Sequence, residues 1–263
     1  MTESSILVTG FEPFDRSNEN PSARVVKQLA SSKVDGARVI AQVLPVSARR
    51  SPAIMLELLE KHRLLDGKRF LARCTDRGFL RAHGIAEQSV EGYLLPGTYN
   101  VEPDMDESGL TKAMLGQFTK NRRAKYDARL KASGKTWHEI LTLASMIEKE
   151  AVAPAERPVI ASVFYNRLAR GMRLQSDPTS VYGVRAFAGK VTRADILRPS
   201  PYNTYLNEGL PPGPIGNPGD SAIEAALTPV RTSYLYFVAR QDGSHQFSTT
   251  LVEHNRAVQT YLK

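Results

Sequence analysis

Two carboxylates, Glu148 and Glu150, close an otherwise apolar stretch at residues 135–152 (KTWHEILTLASMIEKEAV). A carboxylate held among apolar side chains is penalised in its charged form, which raises its pKa and lets it serve as a general acid near neutral pH. The competing use of either Glu is an ion pair with Lys149, Arg157 or Arg167. Beyond this stretch the chain turns polar. Residues 174–179 (LQSDPT) bring Gln175 and Asp177 into a turn, and residues 200–205 (SPYNTY) set Tyr202 and Tyr205 around Asn203 and Thr204. Aromatic rings stack on pyranose faces while amides and hydroxyls orient ring substituents. The chemistry suggested is acid catalysis beside a polar, aromatic groove.

Those residues need elements to position them. A helix over 137–151, at about 100° per residue, puts Trp137, Ile140, Leu143, Ala144, Ile147 and Ala151 on one face and His138, Thr142, Ser145 and Lys149 on the other. Glu148 and Glu150 fall on opposite flanks of the apolar stripe, and periodicity does not choose between them. A second helix over 159–170 carries Asn166 and Arg167 and stops at Gly171. Residues 209–219 (GLPPGPIGNPG) are too rich in Pro and Gly for helix or central strand and read as a stiff surface loop. A short helix over 222–227, a strand over 234–239, a turn at Asp242-Gly243 and a partner strand from Gln246 complete a hairpin pattern.

Upstream, residues 64–85 read as helical, with Asp66 as N-cap, Phe70, Leu71, Phe79 and Leu80 as anchors and Gly84 as stop. Tyr93 and Tyr99, in EGYLLPGTY, either pack under a loop or contact a sugar. A helix runs from about Ser108 through the basic run at 120–135, KNRRAKYDARLKASGK, which reads as a solvated face. The first part of the chain alternates strand (5–9), helix (22–31), strand (37–44) and helix (51–62), the beginning of an α/β sheet.

Composition narrows the choice of function. With 263 residues, 41% hydrophobic and 24% charged, the chain can bury a core, and its net charge of +8 suits polyanions, anionic cell-wall polymers or acidic membrane surfaces. Cys74 is the only cysteine and the five histidines are scattered, so the sequence offers neither a disulfide framework nor a metal or cofactor motif. No apolar run approaches the ~18 residues of a membrane span, and the acidic start (MTESS) does not resemble a signal peptide. The expectation for the sequence as written is a cytoplasmic chain.

Two resemblances sharpen this. Residues 5–63, through ILVTGFEPF, NPS and VLPVS, resemble the start of the pyroglutamyl peptidase family, in which Phe11 and Phe14 would line a pyroglutamyl pocket. The Glu, Cys and His motifs which that family needs do not follow, and Cys74, in LARCTDRGF, matches no nucleophile context. From about residue 64 onward the chain resembles the endolytic murein transglycosylases, the MltG/YceG-like family. The residues that carry this are EGYLLPGTY, LASMIEKEA, ERPVIASVFYNRLARGMRLQSDPTSVYG, SPYNTYLNEGLPPGPIGNPG and YLYFVARQDGSHQFSTTLVEHNRAV.

The resemblance implies an α+β catalytic domain over 64–263, with its core at about 136–263, preceded by a partial α/β segment (β-α-β-α) over 1–63. It makes Glu150 the acid/base, lines the glycan groove with Gln175, Asp177, Tyr202, Asn203, Thr204 and Tyr205, and leaves Glu148, Arg157 and Asn166 in support. The implied reaction is cleavage of the β-1,4 bond between N-acetylmuramic acid and N-acetylglucosamine, forming 1,6-anhydro ends without a cofactor or metal. A lysozyme-like hydrolase on the same groove, with Asp177 as second carboxylate, and an inactive peptidoglycan-binding module are the alternatives. The implied partners are peptidoglycan strands and the cell-wall synthesis machinery, not nucleic acid. The resembled family acts at the periplasmic face of the inner membrane and normally begins with a membrane anchor and a LysM-like region, whose place the peptidase-like segment takes.

Overall fold

The computed structural model describes residues 5–11, 33–34, 37–44, 65–95, 98–101, 104–184 and 191–262. The helices expected over 22–31 and 51–62, and the pocket residue Phe14, lie outside them. Two apolar runs rich in β-branched residues form neighbouring strands: β1 (Ser5–Phe11) and, beyond a short β2 (Lys33–Val34), β3 (Ala37–Leu44). β1 and β3 pair in parallel from Ser5↔Arg38 to Phe11↔Leu44, and β2 pairs antiparallel with β3.

The next element was expected to be one helix and is two. α1 (Gly67–Cys74) is capped by Asp66, which accepts from the Arg69 N–H, and α2 (Arg77–Ala82) by Asp76, which accepts from the Phe79 N–H at 2.6 Å. Asp76 offers the backbone a local partner outside the helix ladder, so a second N-cap forms within the apolar pattern. Gly84, at φ 69°, ends the second helix in the left-handed conformation. β4 (Thr98–Val101) then joins the sheet antiparallel to β1, giving the order β2-β3-β1-β4. The sequence places a boundary after residue 63, and this ladder joins strands from either side of it.

α3 (Glu107–Phe118) leads through a π-helical turn (Thr119–Arg123) into α4 (Ala124–Ser133). In the basic run Arg122 is buried while most of its charged neighbours are exposed. Phe70, Leu80, Leu110 and Phe118 lie in the core. Tyr93 and Tyr99 are buried as well, their hydroxyls donating to Glu87 and to the Leu95 carbonyl, so both pack rather than face a ligand. The fold divides into two compact units, 1–128 and 129–263, with the division inside α4.

The second unit is built around α5 (Trp137–Glu150). A capping box starts it: Thr136 Oγ1 accepts from the Glu139 N–H and Glu139 accepts from the Thr136 N–H. The two-faced wheel expected of α5 is replaced by enclosure on all sides, because every residue from Ile140 to Glu148 is buried, Thr142 and Ser145 included. α6 (Arg157–Ala169), the short α7 (Asp177–Val181) and α9 (Asp220–Leu227) pack on α5, and α8 (Arg193–Leu197) precedes α9.

The Pro/Gly segment at 209–219, expected at the surface, is largely buried along α5. It follows the helix in the same direction: His138 Nε2 pairs with the Pro212 carbonyl, the Ile215 N–H donates to Ser145, and the Gly219 N–H donates to Glu148. Proline brings no N–H that needs a partner and glycine no side chain, so this composition can be buried against a helix at little polar cost. A Cβ at Gly213 would already sit 3.4 Å from both the His138 ring and the Tyr202 hydroxyl. The hairpin of β5 (Tyr236–Ala239) and β6 (His245–Ser248) forms where expected, turning at Gly243 (φ 82°), and α10 (Leu251–Tyr261) packs on it. α10 has no counterpart in the sequence expectations, although Thr250 and Glu253 form a capping box at its start.

Candidate active site

Glu148 and Glu150 end the same helix, and the chain gives each a different neighbourhood. Glu148, 9% exposed, accepts from Arg157 Nη2 at 3.0 Å through Oε1 and from the Gly219 N–H at 3.2 Å through Oε2. Arg157 also donates to Ser221 Oγ. The ion pair that sequence offers as the competing use is thus formed by Glu148, and it ties the end of α5 to the start of α6 and of α9.

Glu150 faces the other way, toward the turn before α7. The Ser176 hydroxyl donates to Glu150 Oε1 at 2.5 Å. Burial pushes the Glu150 carboxyl up to about 8, with the Asp177 charge adding to the rise. The Ser176 hydrogen bond, the Arg167 charge and the Asp177 N–H pull the other way without cancelling it. A carboxylic acid that keeps its proton to about pH 8 has a proton to give at neutral pH.

Gln175 and Asp177 meet here as well. Gln175 takes φ 50°, the only positive φ at a non-glycine among the described residues, and its side chain accepts from Arg167 Nη1. Asp177 accepts from the Tyr205 hydroxyl at 2.5 Å, and burial together with that carboxylate pushes the Tyr205 phenol up. Arg167, 7% exposed, shares Nη1 among Gln175 and the Arg173 and Leu174 carbonyls and donates from Nε to the Leu235 carbonyl, and its guanidinium lies 5.1 Å from the centre of the Tyr236 ring.

The other expected groove residues divide. Asn203 and Thr204, at 0% and 1% exposure, are structural: Asn203 Nδ2 donates to the Asp195, Ile196 and Arg198 carbonyls, and Thr204 Oγ1 accepts from the Ser176 N–H. Tyr202 packs at a tilt against Tyr182, with ring centres 4.4 Å apart, and turns toward Gly213 and His138. His138 begins α5 about 18 Å from Glu150 by helical rise. Asn166 bonds to the Thr232 and Tyr234 carbonyls and so anchors the hairpin to α6. Glu148 and Arg157, expected to support the groove, pair with each other on the other side of the helix end.

Ser176 and Arg167 are the two residues nearest Glu150 that were not singled out as site residues. Arg167 was visible beside Asn166 at the end of α6. Ser176 lies within the polar turn read at 174–179 and carries no signal of its own there. Elsewhere, Cys74 is buried and its thiol is pushed up to about 12, which leaves no thiolate for a peptidase-like reaction. Among the described residues no cluster of His, Cys, Asp and Glu could hold a metal, and no helix is long and apolar enough to cross a membrane.

Comparison with known proteins gives this geometry a family. An endolytic murein transglycosylase of Bacillus subtilis is 47% identical over 174 residues, 66% of this chain and 48% of that protein. One from Streptococcus pneumoniae is 35% identical over 183 residues, 67% of this chain and 33% of that protein. The chain therefore spans about half or less of these relatives' lengths. A pyrrolidone-carboxylate peptidase of Coprothermobacter proteolyticus is 44% identical over 59 residues, 22% of this chain. The crystal structure of a YceG-like protein from Listeria monocytogenes superposes with a TM-score of 0.74 at 36% identity, covering 90% of this chain and 81% of that one. The profile of the YceG-like family matches residues 14–260. The chain belongs to the YceG-like family.

Proposed function

We propose that this chain is an endolytic lytic transglycosylase that cleaves the β-1,4 bond between N-acetylmuramic acid and N-acetylglucosamine within peptidoglycan strands. The observation that carries the reading is Glu150: a carboxyl group protonated to about pH 8, at a helix end, beside Asp177, Tyr205, Gln175 and Arg167. Glu150 donates its proton to the glycosidic oxygen as the C1–O4 bond breaks and positive charge develops at C1. The carboxylate left behind then removes the proton from the muramyl C6 hydroxyl as that oxygen bonds to C1. The 1,6-anhydro ring closes, Glu150 recovers its proton, and no water is consumed. Asp177, which accepts from the Tyr205 hydroxyl, lies beside Glu150 where the positive charge develops. The names of the curated relatives support the same substrate.

Digestion of purified murein, followed by mass spectrometry, tests this directly. Anhydromuramyl ends are expected, and reducing ends would overturn it. The second reading, a hydrolase with Asp177 activating water or attacking C1, draws on the same pair of acids. It predicts incorporation of label from ¹⁸O-water, which the transglycosylase reaction does not give.

A further inference from the structure

The segment that meets Glu150 uses its hydrogen bonds in an unusual way. Ser176 occupies the N-cap of α7, where a serine hydroxyl ordinarily accepts an N–H of its own helix. Here it makes no such bond and donates instead to Glu150, 26 positions away in sequence. The rest of Ser176 is immobilised. Its N–H donates to Thr204 Oγ1 at 3.0 Å, and its carbonyl accepts from Thr179 Oγ1 at 2.6 Å and from the Thr179 N–H at 3.1 Å. The two threonine hydroxyls bond to each other at 2.8 Å. Just before it, Gln175 holds its left-handed φ while its N–H donates to the Thr204 carbonyl. Ser176 is 1% exposed and each of its polar groups is engaged.

We propose that Ser176 is a positioning residue of the reaction, a fixed donor to Glu150 that stabilises the carboxylate formed when Glu150 gives up its proton. The inference rests on the reading of Glu150 as acid and then base. A desolvated acid with only the Asp177 N–H as donor would hold its proton more tightly through the first half of such a cycle. A hydroxyl bonds more strongly to a carboxylate than to a carboxylic acid, so the stabilisation grows along the reaction coordinate and acts on kcat rather than on binding. The charged and titratable groups facing Glu150 are Asp177, Arg167 and Tyr205. Only Ser176 offers it a neutral donor from a clamped side chain.

The test uses the full chain, with Ser176→Ala and the size-matched Ser176→Cys, acting on soluble uncrosslinked glycan strands. Release of anhydro ends should fall about 10- to 100-fold in kcat with KM within threefold, ordered Ser, Cys, Ala. The alkaline limb of the pH profile should move upward, since the carboxylate has lost its side-chain donor and keeps the Asp177 N–H. Carboxyl-carbon NMR titration of Glu150 should show the same upward shift without reference to activity, in whichever variant remains folded. An unmoved limb and titration, or a loss confined to KM, would overturn the proposal. Glu150→Gln separates the two claims: if it retains activity, the reading of Glu150 itself fails, whereas inactivity there with normal Ser176 variants removes only the role of Ser176.

Discussion

The two corners at the end of α5 differ in how they treat a carboxylate. At one, Glu148 receives a guanidinium and a backbone N–H, so its charge is matched and the bond network ties three helices together. At the other, Glu150 receives the Ser176 hydroxyl and the Asp177 N–H, but desolvation outweighs them, and its charge is resisted rather than matched. Two glutamates two positions apart thus become a latch and a carboxyl group that holds its proton. Their identity is the same, and the difference lies in what the rest of the chain brings to each side of the helix.

Four substitutions can break or sharpen that contrast. The largest effect is expected of Glu150→Gln, which should reduce anhydro-end formation about 10²- to 10⁴-fold while leaving the fold intact. The same variant carries a stability signature. The folded pKa of Glu150 lies above its unfolded value, so its favourable contribution is complete below about pH 4.5 and is lost as pH rises through about 8. Glu150→Gln should therefore unfold like the parent at pH 4 and be about 1–3 kcal/mol more stable near pH 8.5, read by denaturant titration at both pH values.

Glu148→Ala should do the reverse. It leaves Arg157 and the Gly219 N–H without their partner, and a loss of about 2–4 kcal/mol at neutral pH is expected, visible as a lower Tm. Turnover per folded molecule should change far less than in Glu150→Gln. A smaller effect follows from Asp177→Asn. Removing that charge lowers the proton affinity of Glu150, so the alkaline limb of the pH profile should move down by about 0.5–1 unit, opposite in sign to the Ser176 variants. Smallest is Gly219→Ala. Its Cβ would lie 3.5 Å from Glu148 Oε2, an ordinary contact, and thermal unfolding should register less than about 1 kcal/mol.

Sequence made some of this legible and concealed the rest for physical reasons. α5, α6 and the β5–β6 hairpin follow from apolar periodicity, the Gly171 stop and the Asp-Gly turn, all local signals. Glu150, Gln175, Asp177 and Tyr205 were singled out by residue type and resemblance, and the structure brings Asp177 and Tyr205 to the side of the helix end that Glu150 faces. Which glutamate would be matched and which desolvated was not readable from spacing, because both flank the same stripe and the deciding partners, Ser176 and Gly219, come from 26 and 71 positions away. Asn203 and Thr204 carry the same polar groups whether they touch a ligand or brace a loop, and only burial separates these roles. The segment at 209–219 misled through composition: Pro and Gly exclude helix and central strand, but they do not require solvent.

The left-handed residue before Ser176 bears on timing as well as on geometry. Gln175 places Ser176 through the course of the backbone and not through a long side chain that must find its rotamer. The conformational entropy of aiming that hydroxyl is surrendered once, when the chain folds, and not again at each encounter with substrate. Glycine at 175 would relax the φ and also release the Arg167 contact, so the turn would regain freedom that the proposed reaction would then have to remove.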